Sequence, residues 1–101
     1  MVIVLGRVDL EPSDVDLFIA AVREVETATR KEVGCLSYAF GQDVTASNHF
    51  WLCESWTDAS ALAAHGQTAH IGKFRAAIAP IRFRTFIVKS YVASDEVVMR
   101  S

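Results

Sequence analysis

Cys35-Leu36-Ser37-Tyr38-Ala39-Phe40, the polar stretch from Gly41 to Asn48, and His49-Phe50-Trp51-Leu52-Cys53-Glu54-Ser55-Trp56 together read as a β-hairpin. The first run alternates large residues at even positions with small ones at odd positions, the period of a strand with one covered face. Gly41-Gln42-Asp43-Val44-Thr45-Ala46-Ser47-Asn48 is turn chemistry of hairpin-loop length, so His49 to Trp56 is the return strand. Upstream, Val15, Phe18, Ile19, Val22 and Val25 recur at three- and four-residue steps, the apolar stripe of an amphipathic helix. Ser13 or Asp14 is expected to cap that helix, and Gly34 to stop it as a left-handed C′ residue. Before it, Val2 to Leu10 is β-branched and apolar, closed by Glu11-Pro12-Ser13. Downstream, Thr57 or Asp58 caps a helical segment Ala59 to Ala64, Gly66 interrupts it, and Thr68 recaps Ala69 to Ala79 before Pro80. Ile81 to Val92 is a last strand, followed by a short tail. The order β-α-β-β-α-β over residues 1–101 predicts one α+β, ferredoxin-like domain: an antiparallel sheet with helices on one face.

Three of the four strands are apolar on both parities. Val2, Val4 and Val8 oppose Ile3 and Leu5; Phe50 and Leu52 oppose Trp51 and Cys53; Phe83 and Ile87 oppose Phe86, Val88 and Val92. A chain of 101 residues has helix enough for one sheet face only. The 51% hydrophobic content and a mean hydropathy of +0.25 fit a second apolar surface. A twofold, sheet-on-sheet homodimer is the simplest way to cover it. The net charge of -2, with no basic block, argues against nucleic acid. No apolar run approaches a membrane span, and the first residues lack a signal-peptide pattern, so a cytoplasmic protein without a membrane partner is expected. Cys35 and Cys53 are expected to be two buried, reduced thiols.

Glu32-Val33-Gly34-Cys35-Leu36-Ser37-Tyr38, then Phe50 to Trp56, then Ala61-Leu62-Ala63-Ala64-His65 with His70 and Phe74 together resemble the antibiotic-biosynthesis-monooxygenase family. That family typically shows Glu-Pro-Gly-Cys before its second strand, Glu-x-Trp ending the third, then Ala-His and a second His before a Phe. Val33 stands where the proline is usual. The resemblance implies a dimeric α+β barrel with a pocket between sheet and helices in each subunit. It also implies chemistry drawn from cofactor-independent quinol oxygenation, haem degradation or isomerisation. Haem-degrading members carry a Trp where this chain has His65 and a haem-ligating His where it has Arg75, so haem chemistry is not expected. Members acting on polycyclic quinols carry an Asn where this chain has Leu52, which favours a smaller quinol or catechol-like substrate.

His65, His70 and Glu54 are the candidate catalytic residues. Cofactor-free oxygenation needs a base for a phenolic proton, and an imidazole suits that step. Gly66 lets the helix re-aim, so that two histidines otherwise on different faces reach one cavity. The plainer alternatives are a helix-capping His65 and a hydrogen-bonded core His70. Glu54 sits mid-strand among apolar residues, either as a pocket carboxylate or in a buried ion pair or hydrogen bond, with Arg7, Arg82 and Arg84 available. Trp56, Trp51, Tyr38, Phe50, Leu62 and Phe74 are the candidate substrate-binding residues, with ordinary core packing as the alternative for each aromatic. Glu54, His65 and His70 lack the short spacing of a metal site, and no phosphate loop or serine elbow occurs, so no metal or cofactor is expected. The expected function is a cofactor-independent monooxygenase using O2 on a small hydroxylated aromatic or quinol. The alternatives are a non-catalytic dimeric ligand-binding module, or isomerase chemistry in the same pocket.

Overall fold

A computed structural model describes all 101 residues. In chain order the elements are β1 (Val2–Leu10), a 3-10 turn (Pro12–Asp14), α1 (Val15–Thr29), β2 (Cys35–Gln42), β3 (His49–Trp56), α2 (Ala59–His65), α3 (Ala69–Ile78) and β4 (Phe83–Val92). The sheet order is β2-β3-β1-β4, with every neighbouring pair antiparallel. This is the expected ferredoxin-like α+β arrangement, the helices lying on one face.

The hairpin is closed by Asp43. Its Oδ1 accepts from the backbone N and Oγ1 of Thr45 at 2.8 and 2.7 Å, and its Oδ2 accepts from Trp51 Nε1 at 3.0 Å. These bonds, those from Thr45 first, hold its carboxyl far below the usual range. On the helix-facing side Val2, Val4, Val8, Leu10, Tyr38, Phe50, Leu52 and Trp56 meet Phe18, Val22, Val25, Ile71 and Phe74 in one core. Phe18 is its hub, edge-on to Phe40, Phe50 and Phe83 with ring centroids 5.5, 4.8 and 6.0 Å away. The outer edge of β2 is blunted by α1: Glu26 accepts from Phe40 N at 2.7 Å, and Arg30 Nε donates to Tyr38 O at 2.9 Å.

Several sequence expectations need correction. Gly34 does not terminate α1. The helix stops at Thr29, and i→i+3 bonds from Lys31 N to Ala28 O and from Glu32 N to Thr29 O take up its last carbonyls. Gly34 (φ +88°) instead opens β2, its carbonyl accepting from Thr57 N at 2.9 Å. Asp14 precedes α1 without capping it, because its carboxylate is taken by Arg82, through N at 3.0 Å and Nε at 3.3 Å. A bulge between Cys35 and Ser37 turns Leu36 outward, away from the large residues that follow it on β2. β4 begins at Phe83, although Ile81 is still buried. Cys53 is exposed on the sheet face that the helices leave open, and only Cys35 is partly covered; both are free thiols.

That open face carries Leu5, Trp51, Ile87 and Tyr91, each about half exposed, with the Arg7 guanidinium 5.1 Å from the Trp51 ring centre. No helix is long and apolar enough to cross a membrane. Gly72, inside α3, has open space where a Cβ would stand. Gly72→Ala therefore raises stability by about 0.5–1 kcal/mol through the lower chain entropy lost on folding, read as a higher urea midpoint with unchanged m-value.

Candidate functional site

α2 is capped by Asp58, whose Oδ1 accepts from Ala61 N at 2.8 Å, and it ends on His65. Thr68 spans the break: its hydroxyl donates to His65 O at 2.8 Å and accepts from Ile71 N at 3.3 Å, capping α3. His65 and His70 would lie on different faces of a continuous helix. The kink at Gly66 to Thr68 instead turns both rings toward one carboxylate, that of Glu32 in the turn after α1. His65 Nδ1 lies 2.6 Å from Glu32 Oε2, and His70 Nε2 lies 2.7 Å from the same oxygen. A carboxylate only accepts, so each facing nitrogen carries its proton. His65 is then the Nδ1–H tautomer with Nε2 free, and His70 the Nε2–H tautomer with Nδ1 free. His65 is 6% exposed, its ring packed 4.9 Å from Trp56 and 5.5 Å from Tyr38 between ring centres. His70 is more open.

Glu54 lies within electrostatic range of His65 and Glu32 but bonds to neither. Its partner is Trp56, whose Nε1 donates to Oε1 at 2.9 Å. None of the three arginines reaches it: Arg7 pairs with Asp9, Arg82 with Asp14 and Arg84 with Glu11. Burial pushes the Glu54 carboxyl above its ordinary 4.5, a rise partly offset by the Trp56 bond. A raised folded value means that the native state keeps a proton which the unfolded chain has lost. Stability is then greatest below that ordinary value and declines as pH rises through it toward the folded one. Glu54→Gln keeps the acceptor for Trp56 and removes the ionisation. It should flatten the decline and leave the variant more stable than the parent at neutral pH, as read from urea midpoints between about pH 4 and 8. Burial likewise pushes the Tyr38 phenol above its usual range, with the nearby Glu54, Glu26 and Glu32 carboxylates adding to it, so Tyr38 stays a neutral donor.

The aromatic candidates divide. Trp56 and Tyr38 are packed into the core beneath His65, Phe50 sits at the far end of β3 against Phe18, and half-buried Leu62 rests on that core. Trp51 lies on the opposite sheet face, bonded to Asp43, and takes no part in this cluster. A cavity opens beside the cluster. It is a groove of about 310 Å³ between α1 and α3, walled by Ala21, Val25, Ala28, Phe74 and Ala77, with His70 in its lining. A Glu24–Lys73 ion pair stands at its rim. Glu32 was missing from the sequence candidates. A base that needs an orienting carboxylate was a signal for it, and it stands two residues before the turn glycine of the quoted Glu32-Val33-Gly34-Cys35 run.

The sequence model of the antibiotic biosynthesis monooxygenase family matches residues 1–77, a span holding Glu32, Glu54, Trp56, His65 and His70. The chain belongs to that family. An uncharacterized protein of Synechocystis sp. is 34% identical to this family member over 73 residues, which is 72% of this chain; the chain spans about half (50%) of that relative's length. YcnE of Bacillus subtilis, a candidate monooxygenase by name, is 26% identical over 74 residues, covering 73% of this chain and 78% of YcnE. A crystal structure from Deinococcus radiodurans, described as that of a candidate antibiotic biosynthesis monooxygenase, superposes with a TM-score of 0.91. It covers 100% of both chains at 22% identity, which carries the fold.

Proposed function

We propose that this family member is a cofactor-independent monooxygenase that oxidises a small hydroxylated aromatic or quinol with O2. The observation that carries the reading is the single Glu32 oxygen shared by His65 Nδ1 and His70 Nε2. That arrangement leaves one basic nitrogen on each ring, and His70 faces the groove. A volume of about 310 Å³ falls at the lower end of small-ligand pockets, roughly 300–1,000 Å³, and its apolar walls suit one ring or two fused rings. His70 Nδ1 takes the phenolic proton, and Glu32 holds the resulting imidazolium. The phenolate gives one electron to O2, and the radical pair joins at a ring carbon bearing hydrogen to form a hydroperoxide. That carbon then loses its proton as the O–O bond breaks, leaving a quinone carbonyl and one water. One oxygen atom of O2 enters the product and the other leaves in water. His65 and Glu54 are positioning residues here, His65 through Glu32 and Glu54 through Trp56.

An oxygen electrode with a panel of phenols, naphthols and hydroquinones, in metal- and flavin-free buffer, tests this. Uptake of one O2 per product, with one labelled oxygen from ¹⁸O2 in the quinone, is the expected result. Conversion under anaerobic conditions would point to an isomerase, and tight binding without turnover to a binding module; either overturns the reading.

The working form in this reading is a homodimer closed through the open face of Leu5, Trp51, Ile87 and Tyr91, whose exposed apolar rings and chains supply the driving force. Sedimentation at about twice the 11.1 kDa chain mass is expected, with Trp51→Glu shifting the protein to the monomer. A wild-type monomer at micromolar concentration would refute it.

A further inference from the structure

Glu32 Oε2, His65 Nδ1 and His70 Nε2 lie within 4.8 Å of one another, with the carboxylate oxygen between the two ring nitrogens. We infer that this cluster is a binding site for a divalent ion of the zinc class, and that the ion silences the histidines by moving their protons.

The donor set argues for the class of ion. Two imidazole nitrogens and one carboxylate oxygen, with a further position open, is a set that zinc and its first-row neighbours accept, whereas Mg²⁺ and Ca²⁺ prefer oxygen throughout. The present 2.6 and 2.7 Å separations are those of hydrogen bonds. Tetrahedral zinc, with bonds of about 2.0–2.1 Å, places its ligand atoms about 3.3 Å apart. The change is an opening of roughly 0.7 Å at Glu32, through its side-chain torsions, while the two ring nitrogens, now within 4.8 Å of each other, draw in to about the same spacing. The rings are already aimed: Trp56 and Tyr38 pack His65, and the Thr68 cap fixes where α3 begins. The groove beside His70 is the path of entry.

Metal at the two inner nitrogens displaces their protons, and each neutral ring then carries its proton on the outer nitrogen. Those outer nitrogens, His65 Nε2 and His70 Nδ1, are the ones free to accept a proton in the hydrogen-bonded state. The inhibitory consequence rests on the monooxygenase reading; the binding does not.

The test uses the full chain, stripped of metal, with Zn²⁺ alone as the probe. Competition against a chromophoric chelator should give one Zn²⁺ per chain, weakened at least 100-fold in His65→Asn and in His70→Gln. His49→Ala, which removes the remaining histidine beside Asp9, should bind as the parent does. Circular dichroism of the metal-free variants confirms that they are folded. Equal affinity in parent, His65→Asn and His70→Gln, or loss in His49→Ala alone, overturns the site. Zinc that binds as described while oxygen uptake continues unchanged overturns the silencing. Zinc binding in a protein that consumes no oxygen with any phenol leaves the site standing and removes the monooxygenase reading instead.

Discussion

His70→Gln should lower kcat for quinol oxidation by about 10²–10⁴-fold, while His65→Asn keeps activity within about tenfold of the parent. The contrast follows from which nitrogen each replacement preserves. A glutamine amide at position 70 can still donate to Glu32 from roughly where His70 Nε2 stands, so the local hydrogen bond survives. It has no basic nitrogen for the substrate proton, so the chemistry stops. An asparagine amide at position 65 reproduces the Nδ1–H donor, which is the part of His65 that Glu32 uses. A purely structural role for both histidines predicts small and similar losses. Full loss in His65→Asn with activity kept in His70→Gln would make His65 the base and the core beneath it the substrate's place. Initial rates of oxygen uptake across substrate concentrations separate these outcomes, since a lost base lowers kcat more than it raises KM.

Gly34→Ala should destabilise the fold by about 3 kcal/mol or more, a fall of roughly 12 °C or more in Tm for a domain of this size. Two independent penalties combine. The backbone there is left-handed at φ +88°, a conformation that L side chains rarely adopt. A Cβ would also stand 2.5 Å from Ala61 Cβ and 2.8 Å from Thr57 Oγ1, so α2 would have to move away from the turn. Adding Ala61→Gly removes the closer contact, and the double variant should recover part of the loss but not the backbone strain. Because Glu32 and His65 flank this contact, Gly34→Ala should also loosen the carboxylate–histidine cluster. Comparable stability in Gly34→Ala and the parent, by thermal unfolding, would mean that the turn is not held in this conformation.

What was legible in the sequence, and what was not, follows from the range of each interaction. Strand periodicity and the stripe of Val15, Phe18, Val22 and Val25 are local signals, and they place the helix and strands correctly. The two caps whose side chains bond within their own first turn, Asp58 and Thr68, were readable for the same reason. Asp14 was misread because its partner, Arg82, is distant in sequence and outcompetes the local N–H groups. The bulge at Leu36 depends on register against β3, which a single strand does not carry. The parity of β3 already separates Trp51 from the pocket residues: its odd position puts it on the face opposite Phe50, Leu52, Glu54 and Trp56. The break at Gly66 is visible in the sequence and the convergence of His65 and His70 follows from it, yet the carboxylate between them comes from the turn after α1, more than thirty residues earlier. Glu54 drew attention as a charge in a strand; Glu32, in a turn where acids are ordinary, did not.

One carboxylate, that of Glu32, organises two histidines of opposite tautomer. Long-range ¹H–¹⁵N correlation spectra of the metal-free protein at mildly alkaline pH test it directly. His65 protonated at Nδ1 and His70 at Nε2, with both preferences weakened in Glu32→Gln, is the expected result. His65 protonated at Nε2, or His70 at Nδ1, would contradict it.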